Sequence, residues 1–199
     1  MPSAGTWHGR PVPEDLRTLP AGLPEPEDDG AADHLPGSPV PDVALPSTAG
    51  GTASLARADA PLLVFAFPWA GRPGEALPAE GWDAIPGARG CTAEACGFGD
   101  AHADLRGLGV DVAGLSAQGP ERQAEIVARL GLPYPLLSDE RGALAAAMAL
   151  PTFTAGGRSL LRRLTMLLDG GTVRRVWYPV FPPDRHAERV VAALRGEAS

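Results

Sequence analysis

Cysteine is scarce in this 199-residue chain, which has two, Cys91 and Cys96. Two cysteines cannot close a tetrahedral zinc site, and His102 stands at no ligand spacing from a C-x2-C pair, so no metal is expected. No apolar run approaches the roughly 20 residues that a membrane-spanning helix needs. The first residues show no apolar signal core, so no secretory leader is expected and the cytoplasm is the expected compartment. There, a catalytic disulfide is favoured over a structural one. Positive charge is also in deficit. Seventeen Lys and Arg face 24 Asp and Glu, for a net charge of −7 and a pI near 5.0. That balance argues against non-specific binding to nucleic acid or to anionic membranes. No internal repeat is present. With 44% hydrophobic residues, the length suffices for one domain with a packed core.

The informative stretch is Ile85-Pro86-Gly87-Ala88-Arg89-Gly90-Cys91-Thr92-Ala93-Glu94-Ala95-Cys96-Gly97-Phe98. A Gly- and Pro-rich loop runs into Cys91. Beyond it, Phe98, Ala101, Leu105 and Leu108 continue one apolar face at helical spacing. Cys91 is therefore expected in the first turn of a helix, where free N–H groups and the dipole favour a thiolate. Arg89 would add to this if it points inward. Cys96 lies five residues on, about 7.5 Å along the axis and about 500° around it in an intact helix, too far for a disulfide. Either no bond forms, or the first turns unwind to let it form, which is the layout of a redox switch. Two inert buried thiols are the alternative.

Residues 1–34 read as a disordered Pro- and Gly-rich tail with an acidic cluster, Glu25, Glu27, Asp28, Asp29 and Asp33; Trp7 and His8 alone suit a docking role. Residues 35–55 read as a small β unit with a turn at Thr48–Thr52. Leu62–Phe67 is an unbroken apolar run stopped by Pro68, the pattern of a buried central strand. Pro68 and Trp69 then mark the sheet end at which α/β ligands bind. A strand at Val110–Ser116, a helix from Gly119 to Leu130, a short strand at Leu136–Ser138 and an Ala-rich helix from Gly142 to Leu150 follow. Two strands, Leu160–Leu168 and Val173–Tyr178, flank the turn Asp169-Gly170-Gly171, and a helix from Asp184 to Leu194 closes the chain. The order predicts an α/β fold with a mixed sheet and helices on both faces. His102 and His186 are expected on polar helix faces.

Gly90-Cys91-Thr92-Ala93-Glu94-Ala95-Cys96-Gly97-Phe98 resembles the active-site segment of peroxiredoxins of the AhpC/TSA superfamily. It is most like the bacterioferritin-comigratory, or Q-type, subgroup. Val40–Leu45 resembles their opening segment, and Arg163–Asp169 resembles their Arg-x-Thr/Ser-Phe-Leu-Ile-Asp motif. The resemblance covers roughly residues 35–195 and implies a thioredoxin-like three-layer α/β/α fold with a central mixed sheet. It further implies that Cys91 is peroxidatic, that Cys96 is resolving, and that Arg163 stands beside the peroxidatic sulfur. Arg162, alternating on the same strand, would face away. Glu94 matches the family glutamate, and a solvated helical glutamate is an equal reading. The implied activity is a thiol peroxidase acting on hydrogen peroxide or organic hydroperoxides and recycled by thioredoxin or a similar dithiol. It uses no metal, haem or flavin and works as a monomer or dimer.

One family feature is absent. Peroxiredoxins carry Pro, three residues, Thr, two residues and then the cysteine. Here Pro68 precedes Cys91 by 23 positions instead of seven, and the threonine position holds Ala88. An inserted loop over about 69–89 accounts for the difference. Trp69, Leu77, Trp82 and Ile85 give it apolar surface to pack as a lid, and Arg72 and Arg89 are its candidate peroxide donors; Thr92 is a further positioning candidate. Three other readings stay open: a thiol–disulfide oxidoreductase or redox sensor with little peroxidase activity, which the missing threonine favours; a Cys–His hydrolase using Cys91 and His186, which no spacing supports; and a non-enzymatic binding domain.

Overall fold

The computed structural model describes residues 6–7, 10–11 and 17–197. Near the N-terminus, β1 (Thr6–Trp7) pairs antiparallel with β2 (Arg10–Pro11). The rest of the tail up to residue 16, including His8, lies outside the described residues. Residues 17–34 form turns and lie against the domain: Arg17 pairs with Asp100 at 2.5 Å, and Tyr178 Oη donates to Asp29 at 2.7 Å. β3 (Leu45–Pro46) and β4 (Thr52–Ala53) then make a small hairpin, as the turn residues between them predict.

The domain is built on a five-stranded sheet in the order β11-β10-β5-β6-β7. β5 (Leu62–Ala66), β6 (Asp111–Ser116) and β7 (Leu136–Ser138) are parallel, while β10 (Leu164–Asp169) runs antiparallel to β5 and β11 (Thr172–Trp177) to β10. Side chains of β5 alternate between two cores. Leu63, Phe65 and Phe67 enter one, against α1 (Cys91–Asp100), α2 (His102–Gly107), α3 (Pro120–Leu130) and α5 (His186–Glu197). Val64 and Ala66 enter the other, under α4 (Ala143–Ala147) and residues 32–55. Both faces of β5 are thus dry, which is why its sequence reads as a continuous apolar run rather than an alternating one. The expected three-layer α/β/α architecture with a mixed central sheet is the one observed. Among the described residues, no helix is long and apolar enough to cross a membrane.

Three boundaries differ from the sequence reading. The cysteine helix is two helices, breaking near Ala101 after Gly97 and Gly99, although Phe98, Ala101, Leu105 and Leu108 all face the core as expected. The Ala-rich helix ends at Ala147, because Ala149 takes φ 49° and the Leu150 N–H turns back to Ala145 O at 2.9 Å. The expected strand Leu160–Leu168 is two strands in different sheets. β9 (Arg158–Leu161) pairs with β8 (Thr152–Ala155) around Gly156-Gly157, both at positive φ, and only after Arg162-Arg163 does β10 join the main sheet. Two consecutive glycines are a hairpin signal in their own right.

Candidate active site

Gly90 is where the loop becomes a helix. It takes φ 102°, and a Cβ there would collide with the side chains of Leu19 and Pro183, so only glycine fits. Cys91 is consequently the first residue of α1, and its N–H and that of Thr92 belong to the unpaired donors of a helix start. Its side chain is 3% exposed.

Two donors reach the Cys91 sulfur. Arg163 Nη2 stands 3.2 Å from Sγ, and the Trp69 N–H donates to it at 3.4 Å. Arg163 is held in turn by an ion pair from Nη1 to Glu94 Oε2 and by Nη2 donating to the Arg89 carbonyl at 3.1 Å. Glu94 is fully buried, not solvated. Burial opposes the charge on Arg163, but Glu94 and the Cys91 sulfur outweigh it and the net direction is upward, so the guanidinium stays charged. Burial pushes the Glu94 carboxyl up to about 7, against the pull of Arg163. Arg163 sits in the break between β9 and β10 rather than within a strand. The break nevertheless separates it from Arg162, which is only partly buried and whose Nε points to Thr152 O at 3.4 Å.

The other predicted residues divide. Pro68 is buried at the end of β5 and delivers the next residue, Trp69, to the sulfur. Thr92 and Arg89 line a cleft of about 270 Å³ over Cys91, together with Leu19, Trp69, Arg72 and Trp82. The Arg89 side chain is engaged by Asp83 at 3.3 Å and that of Arg72 by Glu125 at 3.1 Å, so Arg89 serves the site through its carbonyl. Ala88, at the threonine position, is fully buried in a cluster with Trp82, Ala155 and Leu160. A hydroxyl at that position would enter an apolar pocket. Cys96 is 1% exposed and unbonded, and burial pushes its thiol up to about 11. It rests as a neutral thiol.

His186 is not a surface residue. It is 4% exposed, its Nε2 stands 2.8 Å from Thr165 Oγ1, and burial with the nearby Arg163 and Arg189 charges lowers its pKa to about 3. The sequence reading also missed Gln118, which clamps the loop after β5. Its Oε1 accepts from the Ala70 N–H at 2.9 Å, and its Nε2 donates to Ala70 O at 3.1 Å. No local pattern marks Gln118, because its partner is 48 residues away.

The 69–89 segment is anchored on three sides. Trp69 meets Cys91. Trp82, 2% exposed, packs beside Phe153 of β8, with ring centroids 6.1 Å apart. The polar face of α3 holds the rest through the pairs Arg122–Glu75 and Glu125–Arg72 and through Arg129 Nη2 donating to Gly71 O at 3.0 Å.

Residues 35–194 match the Redoxin family. A chloroplastic peroxiredoxin Q of Gentiana triflora is 32% identical over 107 residues, 53% of this chain and 48% of the relative, so the chain spans about half the length of that relative. Among solved structures, peroxidoxin BcpB of Mycobacterium tuberculosis is 29% identical with a TM-score of 0.66, covering 83% of this chain and 100% of that one. The bacterioferritin comigratory protein of Xanthomonas campestris, studied for its alkyl peroxide reduction activity, is 25% identical with a TM-score of 0.62 over 79% of this chain and 93% of that one. A family match over four-fifths of the chain, on a fold that puts Cys91 and Arg163 together, establishes that this chain belongs to the redoxin family, and its relatives there are peroxiredoxins of the Q type.

Proposed function

We propose that the chain is a thiol peroxidase with Cys91 as its peroxidatic residue. One observation carries this reading: a cysteine sulfur at a helix start with a charged guanidinium at 3.2 Å and a backbone N–H at 3.4 Å. Those donors stabilise a thiolate and face the oxygens of a peroxide lying along the sulfur axis. The thiolate attacks the terminal oxygen of ROOH and the O–O bond breaks. The electron pair leaves on RO⁻, which takes up a proton to give an alcohol or water, and Cys91 becomes a sulfenic acid. Cys96 then attacks that sulfur, a disulfide forms and water leaves. A thioredoxin-type dithiol reduces the disulfide by exchange, in the cytoplasm.

Consumption of peroxide coupled to a thioredoxin system tests the reading. Steady turnover is expected. A protein whose Cys91 stays reduced under stoichiometric peroxide, yet exchanges disulfides with thioredoxin, would instead be the thiol–disulfide oxidoreductase that the alanine at position 88 favours.

The 69–89 segment belongs to this site as a lid that takes over from the missing threonine, with the Trp69 N–H as the donor it supplies. Its removable part is 72–80, since Trp82 is core. Replacing 72–80 with a short Gly-Ser link removes the Arg72–Glu125 and Glu75–Arg122 pairs that hold the segment behind Trp69; it is expected to leave unfolding cooperative and Cys91 open to alkylation, and to lower its oxidation rate by at least about tenfold as the Trp69 N–H loses its position. An unchanged oxidation rate in stopped flow would reduce the lid to a tolerated loop.

A further inference from the structure

The two cysteines cannot meet while α1 is intact. Residues five apart in an α-helix have Cα atoms about 8.7 Å apart, whereas a disulfide needs less than about 6.8 Å. The transition between peroxide attack and disulfide formation is therefore a local unwinding of α1, and whatever holds α1 wound sets the rate of the second step.

One side chain outside the site already described grips this helix between the two cysteines. Tyr134, in the connection from α3 to β7, is 4% exposed and donates its hydroxyl to Ala95 O at 2.5 Å. Ala95 immediately precedes Cys96, so its carbonyl lies in the turn that has to open. The Tyr134 backbone leads directly into β7, and its ring stands edge-on to Phe65 of β5 with centroids 5.7 Å apart and planes at 90°, in the core where Phe65 also stacks on Phe98 of α1. The hydroxyl is thus mounted on the sheet and reaches across to the moving part. Unwinding withdraws its acceptor and leaves a buried phenol unpaired, a state that costs more than the bond itself contributes. Within α1, Gly97 and Gly99 act in the opposite sense, because glycine is the weakest helix former after proline.

We propose that Tyr134 is a positioning residue that latches α1 in its wound state and so governs how long the Cys91 sulfenic acid persists before Cys96 reaches it. The proposal rests on the assignment of Cys91 and Cys96 as the reacting pair. The latch favours the geometry that attacks peroxide and delays resolution, which lengthens the interval in which a second peroxide can carry Cys91 to the sulfinic acid.

The test separates the two steps in stopped flow. Tyr134→Phe keeps the ring packing and removes the hydroxyl. The rate of Cys91 oxidation is expected to change less than twofold, the rate of disulfide formation to rise roughly three- to tenfold, and the hyperoxidised fraction at high peroxide to fall. Gly97→Ala is expected to slow disulfide formation, since a Cβ there meets only Ala187 Cβ at 3.6 Å and Asp184 O at 3.9 Å and strengthens the helix. The double variant is expected to return toward the wild-type rate, and it keeps the test available if Tyr134→Phe alone does not fold. A Tyr134→Phe protein that forms its disulfide at the wild-type rate, or that loses both steps in proportion, overturns the latch. A wild-type protein that forms no Cys91–Cys96 disulfide overturns the cysteine assignment instead.

Discussion

Cys91→Ser is expected to abolish peroxide turnover, while Cys96→Ser is expected to react once with peroxide and then stop. The structure separates the two thiols by environment. Cys91 is the first residue of a helix, with Arg163 and the Trp69 N–H directed at its sulfur. Cys96 lies in an apolar core, and burial pushes its thiol up to about 11, so almost none of it is ionised at neutral pH. A nucleophile has to be thiolate before it can attack; Cys91 has Arg163 and the Trp69 N–H at its sulfur, whereas at Cys96 burial outweighs the more distant charges of Arg17 and Arg129. In Cys96→Ser the sulfenic acid has no internal partner and accumulates or passes to higher oxides. Intact mass after one equivalent of peroxide reads the outcome directly: no added oxygen on Cys91→Ser, and one on Cys96→Ser. Oxygen found on Cys96 in the Cys91→Ser protein would reverse the assignment.

Removing Arg163 is expected to have the next largest effect, and it acts on two quantities at once. The guanidinium supplies one of two donors at the sulfur, and loss of a comparable donor from other sites costs about 10²- to 10³-fold in rate. It is also the ion-pair partner of Glu94, which is fully buried. Breaking a buried pair by deleting one member costs about 3–5 kcal/mol, because the surviving charge is left without compensation. Arg163→Ala is therefore expected to be slow and unstable together. The instability has a definite pH dependence. Burial already raises the Glu94 carboxyl to about 7 with Arg163 pulling it down, and without Arg163 the folded protein holds the proton more tightly still. A carboxyl raised above its unfolded value adds stability below that unfolded value and loses it as pH rises through the folded one. Arg163→Ala is thus expected to gain thermal stability relative to wild type on going from pH 8 to pH 5. Glu94→Gln with Arg163→Met removes both charges and is expected to restore stability but not the oxidation rate. Arg162→Ala, which alters a half-exposed side chain, is expected to change neither. Equal rates for the Arg162 and Arg163 variants would remove Arg163 from the site.

Much of this could be read from the chain itself, and the reason lies in what local sequence encodes. The apolar run Leu62–Phe67 could only be a strand dry on both faces, and the helical spacing of Phe98, Ala101, Leu105 and Leu108 fixed the buried side of the cysteine helices. A glycine before Cys91 and a helix after it placed that cysteine at a helix start, and the motif around Arg163 pointed to a residue that reaches the sulfur from 72 positions away. Each of these signals is carried within a few residues by periodicity, turn chemistry or a recognisable motif.

Tertiary packing decided the rest. His186 read as a polar helix residue and Glu94 equally as a solvated or a site glutamate, and both are buried, because the groups that satisfy them, Thr165 and Arg163, come from another part of the chain. The charged face of α3 ties down the 69–89 segment through Arg122, Glu125 and Arg129. Arg72 and Arg89 are drawn to carboxylates nearby, and the donor that the segment brings to Cys91 is the backbone N–H of Trp69. A main-chain donor has no side-chain signature. Gln118 and Tyr134 are equally silent in the sequence, since each acts on a backbone carbonyl or N–H of a segment 48 or 39 residues distant. Residue type and spacing report what a segment does to itself. Which buried polar group finds which partner is settled only when the whole chain closes, because an unpaired one costs more than local propensity can offset.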